Sequence, residues 1–164
     1  NKFWDCSIKK EELIKIASKL GSDVPFFIKG KPAFISGKGE KVFPKKIDLK
    51  MPKKIVLFIP PLSISTKEVY NAYDKLFKGE KKFLKKEFLN NLSLENLEND
   101  LQEAAFYVFL KLKEIYYEIK STKPQFLILS GSGSAFWGFY EDEKKEREAK
   151  NHLTKFLKFY ILFF

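Results

Sequence analysis

Apolar residues recur every three or four positions in two stretches of the chain, a spacing that predicts amphipathic helices. The first stretch contains Leu13, Ile16, Ala17 and Leu20, and it ends at Gly21, a residue type that commonly terminates helices. The second and longer stretch predicts a single helix over residues 95–120, closed by a proline shortly afterwards.

Capping residues and charged segments predict further helices. Thr66 is predicted to cap a helix that runs through residue 77, and residues 81–90 form a weaker helical pattern. A highly charged segment after Tyr140 is also helical in pattern. These helices separate the apolar runs that predict strands.

Short apolar runs predict the strands. The runs PFFI and PAFIS, joined by KGK at residues 29–31, suggest a hairpin. Residues 55–59 are continuously apolar, as in a buried strand. Residues 126–129 and 135–140 flank a Ser/Gly loop and are expected to pair, and residues 157–164 suggest a final strand.

From residue 49 onward the order is strand, helices, strand, strand, helix, strand. That order predicts an α+β fold in which helices cover one face of an antiparallel sheet. The polar stretch at residues 45–54 contains Pro52 and is the expected domain boundary. The predicted domains are therefore residues 1–48, which hold a helix, the corner at Asp23 and a hairpin, and residues 49–164.

Composition narrows the range of functions. The 164 residues carry a net charge of +10, almost entirely from lysine, because Arg147 is the single arginine. Scattered lysines interspersed with glutamates favour a solvated surface over a nucleic-acid-binding face, where the planar arginine fork is preferred. Cys6 and His152 are the single residues of their types, which excludes an internal disulfide and a Cys/His zinc site.

The single cysteine suits a reducing compartment, so a cytoplasmic location is expected. No apolar run approaches the roughly 20 residues of a membrane-spanning helix. His152 lies in a polar helical segment and is expected at the surface. Chemistry in this chain must therefore rest on carboxylates, hydroxyls, lysines or backbone groups.

Asp23, in the segment LGSDVPFF, is the first candidate for chemistry. One interpretation is a turn or capping aspartate. The other is a carboxylate at a corner bracketed by glycine and proline, where it could orient a hydroxyl group and accept its proton.

Two further segments could contact a ligand. In LSGSGSAFWG, residues 129–138, glycines alternate with serines between two strands, which suits either a flexible hairpin turn or an anion-binding nest of backbone N–H groups. It is not a dinucleotide fingerprint, because a strand and not a helix follows, and the chain has no Walker A motif. The segment PPLSISTKEVY, residues 60–70, is a strand end that turns into a helix, which suits either ligand contacts or a structural cap.

Five segments occur in a recognisable order: LGSDVPFF, GKPAFISGKGEKV, LSISTKEVY, NDLQEAAF and LSGSGSAFWG. Together they resemble the galactokinase–homoserine kinase–mevalonate kinase superfamily over nearly the whole chain. The closest likeness is to a member that phosphorylates a tertiary hydroxyl of a cytidine diphosphate substrate in non-mevalonate isoprenoid synthesis. The resemblance implies a small-molecule kinase with ATP as co-substrate, together with Mg²⁺.

The resemblance also implies roles for individual residues. Asp23 matches the aspartate proposed as the base on the substrate hydroxyl. Tyr70 matches an aromatic residue that stacks on the cytosine ring, with Thr66 nearby. The loop that shapes the site near the phosphates corresponds to Gly131, Ser132 and Gly133. The family's Gly/Ser-rich ATP loop and its N-terminal lysine have no match here, so we expect a fragment that is inactive by itself.

Two alternatives remain at this stage. A related kinase of the superfamily could act on mevalonate, homoserine or a sugar, although a stacking Tyr70 suits a cytidine better. A basic α+β module could instead bind RNA through aromatic residues on its sheet, with Phe126, Trp137 and Phe139 as candidates. We favour a small-molecule substrate, with neither nucleic acid nor membrane as a partner.

Overall fold

The computed structural model describes residues 1–44, 52–78, 93–154 and 158–162. The chain divides into two compact units, Asn1–Asp48 and Leu49–Phe164. The assignment of these units as the tail of an N-terminal kinase domain and a C-terminal kinase domain stays a prediction. The helix predicted over residues 81–90 lies outside the described residues.

The first unit consists of two helices and a hairpin. Its elements are α1 (Lys10–Leu20), α2 (Val24–Lys29), β1 (Ala33–Ser36) and β2 (Lys41–Pro44). The two strands are antiparallel, with Phe34 opposite Phe43. Among the described residues of this unit, the buried ones are Ala17, Pro25 and Gly39, so its own core is small.

The extended conformation predicted for PFFI is wrong, because these residues lie in α2. Pro25 occupies the first turn of that helix, where a backbone N–H has no intrahelical acceptor and its absence therefore costs nothing. Gly30 ends the helix with a φ of 60°, in the left-handed region. The hairpin is formed instead by β1 and β2 around the turn at residues 37–40.

The second unit is a four-stranded sheet packed against helices. Its elements are β3 (Lys54–Ile59), α3 (Thr66–Phe77), a 3₁₀ turn (Leu94–Asn96), α4 (Leu101–Val108), α5 (Leu110–Ser121), β4 (Phe126–Leu129), β5 (Phe136–Tyr140), α6 (Glu143–Leu153) and β6 (Lys158–Leu162). The strand order is β4-β5-β3-β6, and each neighbouring pair is antiparallel. The predicted α+β class and the antiparallel sheet are confirmed.

One face of this sheet supplies the core. Successive side chains of a strand point to opposite faces, so Val56 and Phe58 share a face with Phe136 and Tyr140 of the neighbouring strand. These residues form one cluster with apolar residues from α3, α4, α5 and α6. The fully buried members include Phe58, Phe136, Tyr140, Leu112, Ile119 and Leu153.

The single helix predicted over residues 95–120 is wrong in two respects. Residues 94–96 form a separate 3₁₀ turn, and α4 begins at Leu101. Phe109 then adopts φ −121° and ψ 81°, which separates α4 from α5. The apolar stripe continues in register on both sides of Phe109, so the periodicity of the sequence does not reveal a break of one residue.

The charged helix α6 has an apolar side and a solvated side. The Asp142 carboxylate caps it by accepting a hydrogen bond from the Lys145 N–H at 2.8 Å. Arg147 pairs with Glu143 one turn away, as expected for a solvated helix face. Across the described residues, no helix combines the length and the apolar content needed to cross a membrane.

Candidate active site

Asp23 lies at the N-terminal end of α2, directly after the turn that follows α1. Its side chain is exposed and makes no capping hydrogen bond to α2. The buried Pro25 and the bond from the Val24 N–H to the Gly21 carbonyl fix the backbone on either side of it. The structure therefore holds the residue at a defined corner without using its carboxylate as a helix cap.

The turn at residues 37–40 packs against this corner. Gly39 is buried with a φ of 100°, and a Cβ atom there would meet the Ser22 carbonyl and its neighbouring backbone atoms. Glu40 stabilises the same turn by accepting a hydrogen bond from the Lys38 N–H at 2.7 Å. Backbone hydrogen bonds from Glu40 itself and from Lys38 lower the pKa of the Glu40 carboxyl. Two of the sequence segments singled out above are thus direct neighbours.

The Ser/Gly loop, residues 130–134, closes the hairpin between β4 and β5. The Ser130 N–H donates to the Ala135 carbonyl at 2.8 Å, and the Gly133 N–H donates to the Ser130 carbonyl at 3.0 Å. Gly131 and Gly133 have φ values of 57° and 97°, which side-chain-bearing residues rarely adopt. The Ser134 hydroxyl donates to the Leu62 carbonyl at 2.9 Å, which ties the loop to the segment after β3.

The start of α3 reaches the same loop. Thr66 Oγ1 lies 2.9 Å from Ser132 Oγ, so the two hydroxyl groups are hydrogen-bonded. The helix cap is Ser65 and not Thr66 as predicted, because the Ser65 hydroxyl accepts from the Glu68 N–H. The Thr66 side chain is thereby left for the loop.

Tyr70 lies on the same helix, one turn beyond Thr66. Residues four apart share a helix face, so both side chains project from the same side of α3. Tyr70 is 53% exposed, which argues against a role in the core. Thr66, Tyr70 and the Ser/Gly loop therefore all belong to the second unit, whereas Asp23 belongs to the first.

Two amide side chains that the sequence analysis did not single out hold this region together. The Asn99 side-chain amide donates to the carbonyls of Leu129 and Gly131, at 2.8 Å and 2.7 Å. Gln102 Oε1 accepts from the Leu129 N–H at 3.0 Å. Both residues occur in the segment NDLQEAAF, one of the five segments that carry the family resemblance. That segment was the signal in the sequence that could have pointed to these two residues.

Other polar candidates have ordinary surface environments. His152 is exposed, as predicted, and its Nε2 lies 2.9 Å from Glu118 Oε1. Within the described ranges, no group of three or more His, Cys, Asp or Glu residues is arranged to hold a metal ion.

Phe139, one of the aromatic residues considered for RNA binding, is 8% exposed and packs on Phe126.

Several known proteins are similar to this chain over most of its length. No protein-family model, however, matches the chain. A 4-diphosphocytidyl-2-C-methyl-D-erythritol kinase from Carboxydothermus hydrogenoformans is 34% identical over 162 residues, which is 94% of the chain. Proteins of the same name from Persephonella marina and Methylacidiphilum infernorum are 34% and 38% identical over 87% and 81% of the chain. The chain belongs to this kinase family.

The fold agrees with that of the 4-diphosphocytidyl-2-C-methyl-D-erythritol kinase family. A crystal structure of 4-(cytidine 5'-diphospho)-2C-methyl-D-erythritol kinase matches 98% of the chain, with a TM-score of 0.74 and 29% sequence identity. The chain covers 58% of that crystallised protein and 55% of the Carboxydothermus relative. It thus spans about half the length of the kinases it matches.

Proposed function

We propose that this chain is part of an enzyme that phosphorylates the 2-hydroxyl of 4-diphosphocytidyl-2-C-methyl-D-erythritol with ATP, in non-mevalonate isoprenoid precursor synthesis. The observation that carries the proposal is the similarity to kinases of that name over 94% of the chain. The protein that contains it would act in the cytoplasm on a small molecule.

Asp23 would act as the general base. A protonated hydroxyl is a poor nucleophile, and a carboxylate within hydrogen-bond reach can orient it and accept its proton. The Asp23 side chain is exposed and makes no capping bond to α2, so with respect to the described residues its carboxylate is available for this role. The close packing of Gly39 on the Ser22 backbone would keep the corner in place.

The second unit would bind the substrates. Tyr70 would stack on the cytosine ring, because an exposed tyrosine offers a planar face at small entropic cost. Thr66, next to Ser132, would contact the same substrate. The backbone N–H groups of Gly131 and Ser132 would face phosphate oxygens, as in other glycine-rich anion nests. Gly133, whose N–H donates to the Ser130 carbonyl, would hold the loop in the shape that this requires.

We assign no magnesium ligand to this chain. Mg²⁺ in kinases is usually held by one or two carboxylates and by the substrate phosphates. Among the described residues, no group of three or more His, Cys, Asp or Glu side chains is arranged to hold a metal ion. An Mg²⁺ ion bound with ATP would stabilise phosphate charge, whereas the residues named above orient the acceptor.

The remaining half of the kinase length would complete the site. We infer that residues 1–48 belong to a larger N-terminal kinase domain and residues 49–164 to the C-terminal one. The first unit supports this, because it has little core and exposes large apolar side chains, namely Phe3, Trp4, Ile16, Leu20, Phe27, Ile35 and Phe43. The chain by itself would then not turn over ATP.

Substitution of Asp23 by Asn tests the proposal in the complete protein as its gene encodes it. Asn keeps the size of Asp but cannot accept the proton. We expect kcat for phosphoryl transfer from ATP to fall about 10²–10⁴-fold, the usual contribution of general-base catalysis. Affinity for ATP and for the cytidine substrate should change little, because the lost interaction belongs to the transition state.

Asp142→Asn provides a matched control. Asp142 caps α6, and Asn caps helices equally well, so both kcat and stability should stay near the wild-type values. A folded Asp23→Asn enzyme that keeps more than about a tenth of the wild-type kcat would exclude Asp23 as the base. A wild-type protein that transfers no phosphate to this substrate would refute the proposed function itself.

A further inference from the structure

Asn99 connects the start of α4 to the Ser/Gly loop through three hydrogen bonds. Its Nδ2 donates to the Leu129 carbonyl and to the Gly131 carbonyl, at 2.8 Å and 2.7 Å. Its Oδ1 accepts from the Leu101 N–H at 3.0 Å. The Asn99 side chain thus donates two hydrogen bonds to carbonyl groups at the start of the loop and accepts one hydrogen bond from the start of the helix.

We propose that Asn99 is a positioning residue that fixes the Gly131–Ser132 peptide so that the Ser132 N–H points toward the phosphate of the bound substrate. This inference rests on the proposed function and adds a residue to its machinery. Asn99 itself would touch neither ATP nor the cytidine substrate.

The geometry of the peptide unit links the observed bond to the proposed orientation. In a trans peptide the C=O and N–H groups point in opposite directions. With the Gly131 carbonyl held by Asn99, the N–H of Ser132 in the same peptide must point away from Asn99. An anion that accepts a hydrogen bond from the Ser132 N–H would therefore lie on the side of this peptide opposite Asn99.

Few other contacts restrain this peptide. Gly131 has no side chain, and a Cβ atom built there would find no heavy atom within 4 Å. The backbone is therefore free of packing on that side, and a glycine samples many conformations when nothing restrains it. The Gly133 N–H bond to the Ser130 carbonyl closes the turn around this peptide, and the Ser132 hydroxyl is bonded to Thr66, but neither bond involves the Gly131 carbonyl or the Ser132 N–H.

A capping role alone would also explain one of the three bonds, and it makes a different prediction. Asn99→Asp separates the two roles, because Asp caps helices as well as Asn and keeps the acceptor for the Leu101 N–H. Asp has no N–H groups, so both bonds to the loop carbonyls are lost. Capping alone therefore predicts no change in stability, loop conformation or rate.

The experiment compares wild type and Asn99→Asp in the complete protein. Hydrogen exchange at the amides of residues 130–134 should be faster in the variant, while the melting temperature changes little. The kcat for phosphoryl transfer should fall about 10-fold to 10²-fold, as expected when a catalytic group is displaced by roughly 1 Å. KM for the cytidine substrate should change less than kcat.

The pH profile gives a second signature of Asn99→Asp. A protonated Asp carboxyl can donate one hydrogen bond to a loop carbonyl, so the ratio of variant to wild-type kcat should rise as pH falls. The Glu98, Asp100 and Glu103 side chains line the same surface depression as Asn99, and their negative charge favours the protonated form. A purely structural defect would not give this recovery.

A second variant and a control complete the test. Asn99→Ser keeps a capping oxygen but is too short to reach the loop carbonyls, so it should lose the same protection without recovery at low pH. Asn151→Asp introduces the same charge on the exposed surface of α6 and should match wild type. Wild-type exchange and kcat in Asn99→Asp, or in Asn99→Ser if the first variant does not fold, would overturn the inference. The exchange measurement decides the role of Asn99 even if the wild-type protein has no kinase activity.

Discussion

Tyr70 is the residue on which recognition of a cytidine depends in the proposed function. If its ring stacks on cytosine, Tyr70→Ala in the complete protein should weaken binding of the cytidine substrate by about 1–3 kcal/mol. Tyr70→Phe should be nearly silent, because the ring supplies the stacking. Calorimetric titration with the substrate measures both variants directly.

The controls for Tyr70→Ala are a substitution at a second exposed tyrosine and a measurement of thermal stability. Tyr107 is also exposed, at 66%, and has no role in the proposed site, so Tyr107→Ala should leave affinity unchanged. Melting temperatures should be close to wild type in all variants, since Tyr70 is more than half exposed. A Tyr70→Ala protein that binds the substrate normally would exclude stacking and reopen the choice of substrate within the superfamily.

Single residues of the candidate site differ in how far the sequence could predict them. Asp23 and the Ser/Gly loop stand out because glycine and proline mark special backbone positions next to polar side chains. Asn99 does not stand out, since its partners are carbonyl groups about thirty positions away in sequence, and no local pattern encodes such a bond. The Thr66–Ser132 contact has the same long-range origin.

At the scale of elements, the close approach of β5 to β3 depends on Gly138. A Cβ atom at this position would lie 2.6 Å from Cε2 of Phe58. The Phe58 ring is fully buried and cannot move aside cheaply. We expect Gly138→Ala to destabilise the protein by about 1–3 kcal/mol, the usual cost of overpacking a core, as measured by denaturant unfolding.

Gly21→Ala is the matched control for Gly138→Ala. Gly21 has an extended backbone with a φ of 172°, and its nearest neighbour for a Cβ atom is a Val24 methyl group at 3.4 Å. The same substitution there should cost little. Equal losses at both positions would show that the Phe58 contact does not limit the packing of the sheet.

The elements that the sequence predicted correctly are those with a strong local signal. The strand β3 is an unbroken apolar run between polar residues and proline, and α3 begins at consecutive capping residues. The errors arose where the local pattern of apolar residues suits two structures equally well. PFFI is short enough to suit a strand or a helix, and its position after Asp23 with Pro25 in the first turn selects the helix. The break at Phe109 leaves the apolar stripe intact and so has no sequence signature.

At the scale of the whole molecule, ionisation of Tyr140 is expected to lower the free energy of unfolding at alkaline pH. Burial raises the pKa of its phenol to about 12, with a smaller contribution from the nearby Glu146 charge, while the bond to Thr122 acts in the opposite direction. The pKa of an unfolded tyrosine is about 10. The neutral form is therefore favoured by folding, and this contribution is complete below about pH 10 and lost as pH rises toward 12.

The expected loss of unfolding free energy between these pH values is about 2–3 kcal/mol. Tyr140→Phe removes the titrating group, so its unfolding free energy should fall less steeply over the same interval than that of wild type. Urea unfolding at several pH values between 9 and 12 measures the two slopes. Parallel slopes for the two proteins would mean that another group controls alkaline unfolding.

The strand order places β6 beside β3, so that Leu162 lies opposite Ile55 although all other elements of the second unit lie between them in the chain. A ribosome releases these residues from N- to C-terminus. The edge of β3 that pairs with β6 therefore stays unpaired throughout synthesis of the helices and the β4–β5 hairpin, and an unpaired edge favours pairing with other chains. Contacts between such distant segments also form slowly. The sheet is thus complete only after β6 has been synthesised, and until then this edge of β3 is open to pairing with other chains.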